Sequence, residues 1–140
     1  MKNIIKYSIL YLIFAISTIT ACPHDKDSII TITTQDQLKS LLANSLGPSA
    51  ISFHMDRCSW CNKMHPIYEE VANNKQFGHV TFYKVNGPTL KAETHVKKAL
   101  HKQIPGYPYM ILMNQGKVVK EQIGGTSSRV IIQQLNSLSK

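Results

Sequence analysis

The ten residues RCSWCNKMHP, Arg57 to Pro66, constrain this chain more than any other stretch. Cys58 and Cys61 stand two residues apart, just after AISFHM, Ala50 to Met55, an apolar run that reads as a strand. Beyond Cys58 the apolar residues Trp60, Met64, Ile67, Tyr68 and Val71 recur at helical spacing. The pair therefore falls at a helix N-terminus, with Pro66 inside the helix, where it should kink it. Such a pair has three uses: a redox couple, half of a metal site, or a structural bridge. A bridge over two intervening residues closes a very small loop and removes little chain entropy, so a non-catalytic binding module stapled this way is a weak reading. A metal reading joins His65 to Cys58 and Cys61, with Met55 and Met64 near, a soft donor set suited to Cu(I) or Zn but short of a fourth ligand. Against that stands His65 as a plain exposed helix residue.

The rest of the chain reads as alternating strands and helices. IITIT, Ile29 to Thr33, is a β-branched strand, and Thr34 then caps a helix with Leu38, Leu41, Leu42 and Leu46 on one face and Gly47 as its stop. HVTFYKVN, His79 to Asn86, is a third strand, and TLKAETHVKKALHKQ, Thr89 to Gln103, a polar helical segment. Tyr109 to Met113 is a strand, NQGK, Asn114 to Lys117, a hairpin turn into VVKEQI, and Gly124 and Gly125 close that strand. Ser127 or Ser128 caps a final helix carrying Val130, Ile131, Leu135 and Leu138. With 140 residues, 43% of them hydrophobic, the chain can bury one core without staples. The order β-α-β-α-β-α-β-β-α makes residues 29–140 one α/β domain.

The first residues follow another logic. Lys2 and Lys6 precede YSILYLIFAISTIT, an uncharged apolar run with no acid before Asp25, which reads as a signal segment over residues 1–21 and is short for a membrane span. ITAC, Ile19 to Cys22, resembles the lipobox of bacterial lipoproteins. The resemblance implies that Cys22 becomes the lipidated first residue, that residues 22–28 form a tether, and that the protein is exported to the periplasmic side of a bacterial membrane. A soluble secreted form and an uncleaved anchor are the alternatives. Three cysteines leave an odd one in an exported chain, and Cys22 accounts for it. Removing Lys2 and Lys6 takes the net charge from +8 to +6, with 14 Lys and Arg against 8 Asp and Glu. These charges are scattered, VKK at Val96 to Lys98 being the densest run, and no aromatic interleaving marks a nucleic-acid surface. A solvated basic face is the simplest account of them.

A strand, a Cys-X-X-Cys pair and a helix in that sequence resemble the thioredoxin family. The resemblance rests on Cys58 and Cys61, Pro66, Lys84 in YKVN, GYP at Gly106 to Pro108, the hairpin Gly116 and the strand-closing Gly124, and it covers Ile29 to Lys140. It implies a central mixed β-sheet flanked by helices and thiol-disulfide exchange needing no cofactor beyond the Cys58–Cys61 disulfide. It also implies a cis Pro108 lying against that disulfide and presenting the backbone of Tyr107 to a bound peptide. An ordinary trans proline would be preferred without it. The chain departs from the pattern in three places: Ser59-Trp60 lies between the cysteines, Arg57 stands where tryptophan is usual, and Ser52 where a buried acid is usual. CSWCNKM is closer to the exported thioredoxin-like thiol:disulfide interchange proteins, and the segment from Asn86 to Gly106 is a few residues longer than in short thioredoxins.

A thiolate is the attacking species in exchange, and an ordinary cysteine is mostly protonated at neutral pH. At the first helical turn, unpaired N–H groups and the helix dipole favour an anion on Cys58, and Arg57 adds a cation. Cys58 is thus the expected nucleophile and Cys61 the resolving thiol. Trp60 offers apolar contact to a substrate, or packs on the domain. Lys84 remains to support proton transfer, but Ser52 cannot act as base, which leaves water or His54, the latter more simply a bystander. The pair lacks the proline or histidine associated with the strongly oxidising members of the family it resembles, and the resemblance therefore implies reduction or interchange over oxidation of exported protein disulfides. By resemblance a membrane-embedded electron donor keeps the couple reduced.

Overall fold

In this computed structural model the structure describes residues 28–138, so the signal segment, Cys22 and the tether up to residue 27 lie outside the described residues. β1 (Ile29–Ile32) leads into α1 (Gln35–Asn44), which begins at a capping box in which Thr34 accepts from the Gln37 amide at 3.2 Å and Gln37 answers the Thr34 amide. β2 (Ser49–His54), α2 (Ser59–Ala72), a short tight helical turn (Lys75–Phe77) and β3 (Thr81–Asn86) follow. Then come α3 (Ala92–Leu100), β4 (Tyr109–Asn114), β5 (Lys117–Ile123) and α4 (Ser128–Asn136). The sheet runs β1-β3-β2-β4-β5, with the first three strands parallel and β4 and β5 antiparallel. This is the mixed sheet flanked by helices that the sequence implies.

Alternation along the strands sends side chains to two cores. Ile51, Phe53, Val85, Tyr109 and Ile111 pack with Leu38 and Leu42 of α1 and Val96 of α3. Ala50, Phe82, Met110 and Leu112 pack with Met64, Tyr68 and Val71 of α2 and with Ile131 and Leu135 of α4. β2 and β4 are covered on both faces, which is why they read as continuous apolar runs. The Tyr68 hydroxyl pins α2 to the sheet by donating to the carbonyls of Ala50 at 2.8 Å and Tyr83 at 3.1 Å.

Several boundaries differ from the sequence reading. Leu46 is 77% exposed and is not on the α1 face, because α1 ends at Asn44. The carbonyls of Ser45 and Leu46 instead accept from Gly116 and Gln115 of the β4–β5 turn. In that turn Gln115 and Gly116 both have positive φ, the two-residue hairpin geometry that NQGK suggests. His79 and Val80 precede β3, with the Val80 amide closing a turn onto Phe77. The polar helix is shorter than Thr89 to Gln103, because Lys91 and His101, at φ 51° and 54°, bend the backbone left-handed at its two ends.

Candidate active site

β2 ends at His54, and Arg57, at φ 57°, turns the chain into α2. That turn makes Cys58 the N-cap of α2 and brings its sulfur into a disulfide with Cys61. The Cys61 amide donates to Cys58 Sγ at 3.1 Å. With the disulfide opened, the same donor and the helix dipole would favour negative charge on Cys58 rather than on Cys61. Ser59 and Trp60 form the first turn, and the helix continues through Pro66.

Trp60 packs on the domain, as one of its two sequence readings has it. Its ring is 59% exposed, yet it lies against Gly125, where an added Cβ would come 2.9 Å from Cε3. The Lys63 ammonium sits 4.5 Å from the ring centre. Trp60, Lys63, Ile67 and residues Gly125 to Ser127 border a shallow groove.

The Tyr107–Pro108 peptide bond is cis. Pro108 and Cys61 line one small cavity of about 60 Å³ under α2, together with Ser52, His54, His65 and Lys84. Tyr107 is held from outside the loop: its hydroxyl donates to Glu93 of α3, and its ring lies over Gly87, where any Cβ would overlap it. Burial, then Glu93, pushes the Tyr107 phenol above its ordinary range, so it stays protonated as the donor. Gly87→Ala is expected to expel the ring, break the Glu93 contact and cost roughly 1–3 kcal/mol. Urea unfolding measures this, and unchanged stability would mean the ring has room to spare.

Ser52 sits on β2 in register with Lys84 of β3 and Met110 of β4, on the face toward α2. Lys84 Nζ lies 3.3 Å from His65 Nε2, and that nitrogen is 3.0 Å from Glu69 Oε1. His65 thus reaches Lys84 on the sheet, and among the described residues no group of three His, Cys, Asp or Glu is arranged to hold a metal ion. Nothing local in the sequence signals the Gly87–Tyr107–Glu93 or His65–Lys84 contacts, since each joins separate elements.

The model of the family described as Thioredoxin matches residues 29–137. The chain belongs to the thioredoxin family. A redox disulfide on this domain makes it a thiol-disulfide oxidoreductase. Among solved structures it is similar to Malassezia sympodialis thioredoxin, at 17% identity and TM-score 0.65, covering 82% of this chain and 94% of that one. It is also similar to oxidised mitochondrial thioredoxin 3 of Saccharomyces cerevisiae (18%, TM-score 0.62, 79% and 96% covered). A third is Plasmodium falciparum thioredoxin (19%, TM-score 0.62, 77% and 97%). At these identities the likeness speaks to the fold. No curated protein matches the chain significantly.

Proposed function

We propose that this thioredoxin-family protein works outside the cytoplasm, held to a membrane by a lipidated Cys22, and reduces or exchanges disulfides of exported proteins. The observation that carries the chemistry is the Cys58–Cys61 disulfide at the capped start of α2, beside exposed Trp60 and cis Pro108. Export and anchoring rest on Lys2, Lys6, the apolar run and ITAC. Trp60 and the Tyr107 backbone offer the surface a substrate peptide would meet. A membrane-embedded donor returns electrons to the couple.

Two measurements test this. Cys22→Ser should move the protein from the membrane fraction to the soluble exported fraction, and unchanged partitioning counts against the lipid anchor. Direction follows from the couple's state in graded glutathione buffers, read by alkylation and mass. Known couples span roughly −270 to −120 mV, and ~30 mV corresponds to about 1.4 kcal/mol. A value near the low end supports a reductase; one near the high end replaces it with an oxidant.

A further inference from the structure

Among the described residues no carboxylate lines the cavity at Cys61 to receive its proton: Ser52 stands on the sheet below, and a hydroxyl is a poor base. Three basic side chains share the cavity with Cys61: Lys84 from β3, His65 from α2 and His54 from β2. His65 is engaged on both sides. Its Nε2 lies 3.0 Å from Glu69 Oε1, and Lys84 Nζ lies 3.3 Å from Nε2 and 3.5 Å from Nδ1. Lys84 as an ammonium only donates. His54 differs: its Nδ1 is buried and has no hydrogen-bond partner among the described residues.

From these contacts we infer that His54 accepts the Cys61 proton during resolution of the mixed disulfide, an assignment that rests on the oxidoreductase reading above. Transfer runs directly or through water, for which a cavity of about 60 Å³ has room. In the step, Cys58 thiolate has already attacked a substrate disulfide and is bonded to one substrate sulfur. The Cys61 S–H proton passes to His54 Nδ1, and the Cys61 thiolate attacks Cys58 Sγ. The Cys58–substrate bond breaks, and the second substrate thiolate leaves and takes up a proton. The substrate disulfide gains two electrons and the cysteine pair loses two.

The charged and titratable groups around His54 are Lys84 from β3, His65, Cys61 and Tyr68 from α2, and Asp56 from the turn. Burial first, then the Lys84 charge and more weakly His65, hold His54 below the ordinary histidine range, with Asp56 and a backbone hydrogen bond at Val85 opposing. His54 is therefore neutral, and able to accept a proton, at neutral pH.

Dithiobis-nitrobenzoate separates the two steps, because attack by Cys58 releases one coloured thiolate and resolution by Cys61 a second. The reduced full-length chain carrying Cys22→Ser is mixed with one equivalent. With His54→Gln added, the first release should be unchanged and the second slowed by about 100-fold. Adding Ser52→Asp should restore the second release, since it returns a carboxylate to the same cavity. A second release as fast in His54→Gln as in its parent, at every pH, overturns the assignment. Should His54→Gln not fold, the parent decides: with His54 as base the second release is flat from about pH 6.5 to 8, whereas a rise of about ten-fold per pH unit means solvent takes the proton. Absence of any first release would remove the oxidoreductase reading itself.

Discussion

Cys58→Ser is expected to abolish insulin reduction, with turnover falling on the order of a thousand-fold or more, about 4 kcal/mol of barrier. A serine hydroxyl in this position can neither attack a disulfide at neutral pH nor carry the mixed-disulfide intermediate. Cys61→Ser should behave differently, because Cys58, as the helix cap, still attacks and then has no partner to release it. Incubation with an oxidised client should then accumulate a covalent adduct that dissolves in dithiothreitol. The asymmetry follows from position: Cys58 Sγ accepts the Cys61 amide at the start of α2, and Cys61 lies one turn inside. Equal activity in the two variants would end the assignment of attacking and resolving roles.

The second large effect concerns stability. Phe53 is fully buried on central β2, its ring centre 5.9 Å from that of Tyr109. Phe53→Ala should cost roughly 3–5 kcal/mol, a large share of the ~5–15 kcal/mol available to a domain of this kind. Thermal unfolding should drop by more than about 10 °C. Strand alternation separates this from the chemistry, since Ser52 and His54 face α2 while Phe53 faces the opposite core. At a temperature where the variant is still folded, its Cys58 should be alkylated at the parent rate. A loss of only ~1 kcal/mol would show that the site collapses around the deletion.

The parts of the fold legible in the sequence are those whose signal is local. Strand runs such as AISFH and YMILM, the Thr34 cap and the NQG turn each carry their own geometry, and the ordered set from Cys58 to Gly124 places them in one family. What escaped is decided at a distance. Leu46 has helical spacing with Leu42, but its carbonyl is spent on the β4–β5 turn, and the side chain is left in water. Thr89 and Leu90 look helical, yet Lys91 turns left-handed and delays α3. At the site, the positions of the cysteines follow from their spacing. That Glu93 and Gly87 hold Tyr107, or that Lys84 engages His65 and leaves His54 Nδ1 unpartnered, depends on which strands lie side by side.

The parallel arrangement of β1, β3 and β2 also gives the domain a front and a back. Ile29 pairs with Phe82, which pairs with Ala50, so the chain enters at the end of the sheet where β2 begins. The disulfide lies just past the other end, and six residues of strand span about 20 Å. Whatever is attached ahead of the domain therefore joins it at the end of the sheet opposite the disulfide.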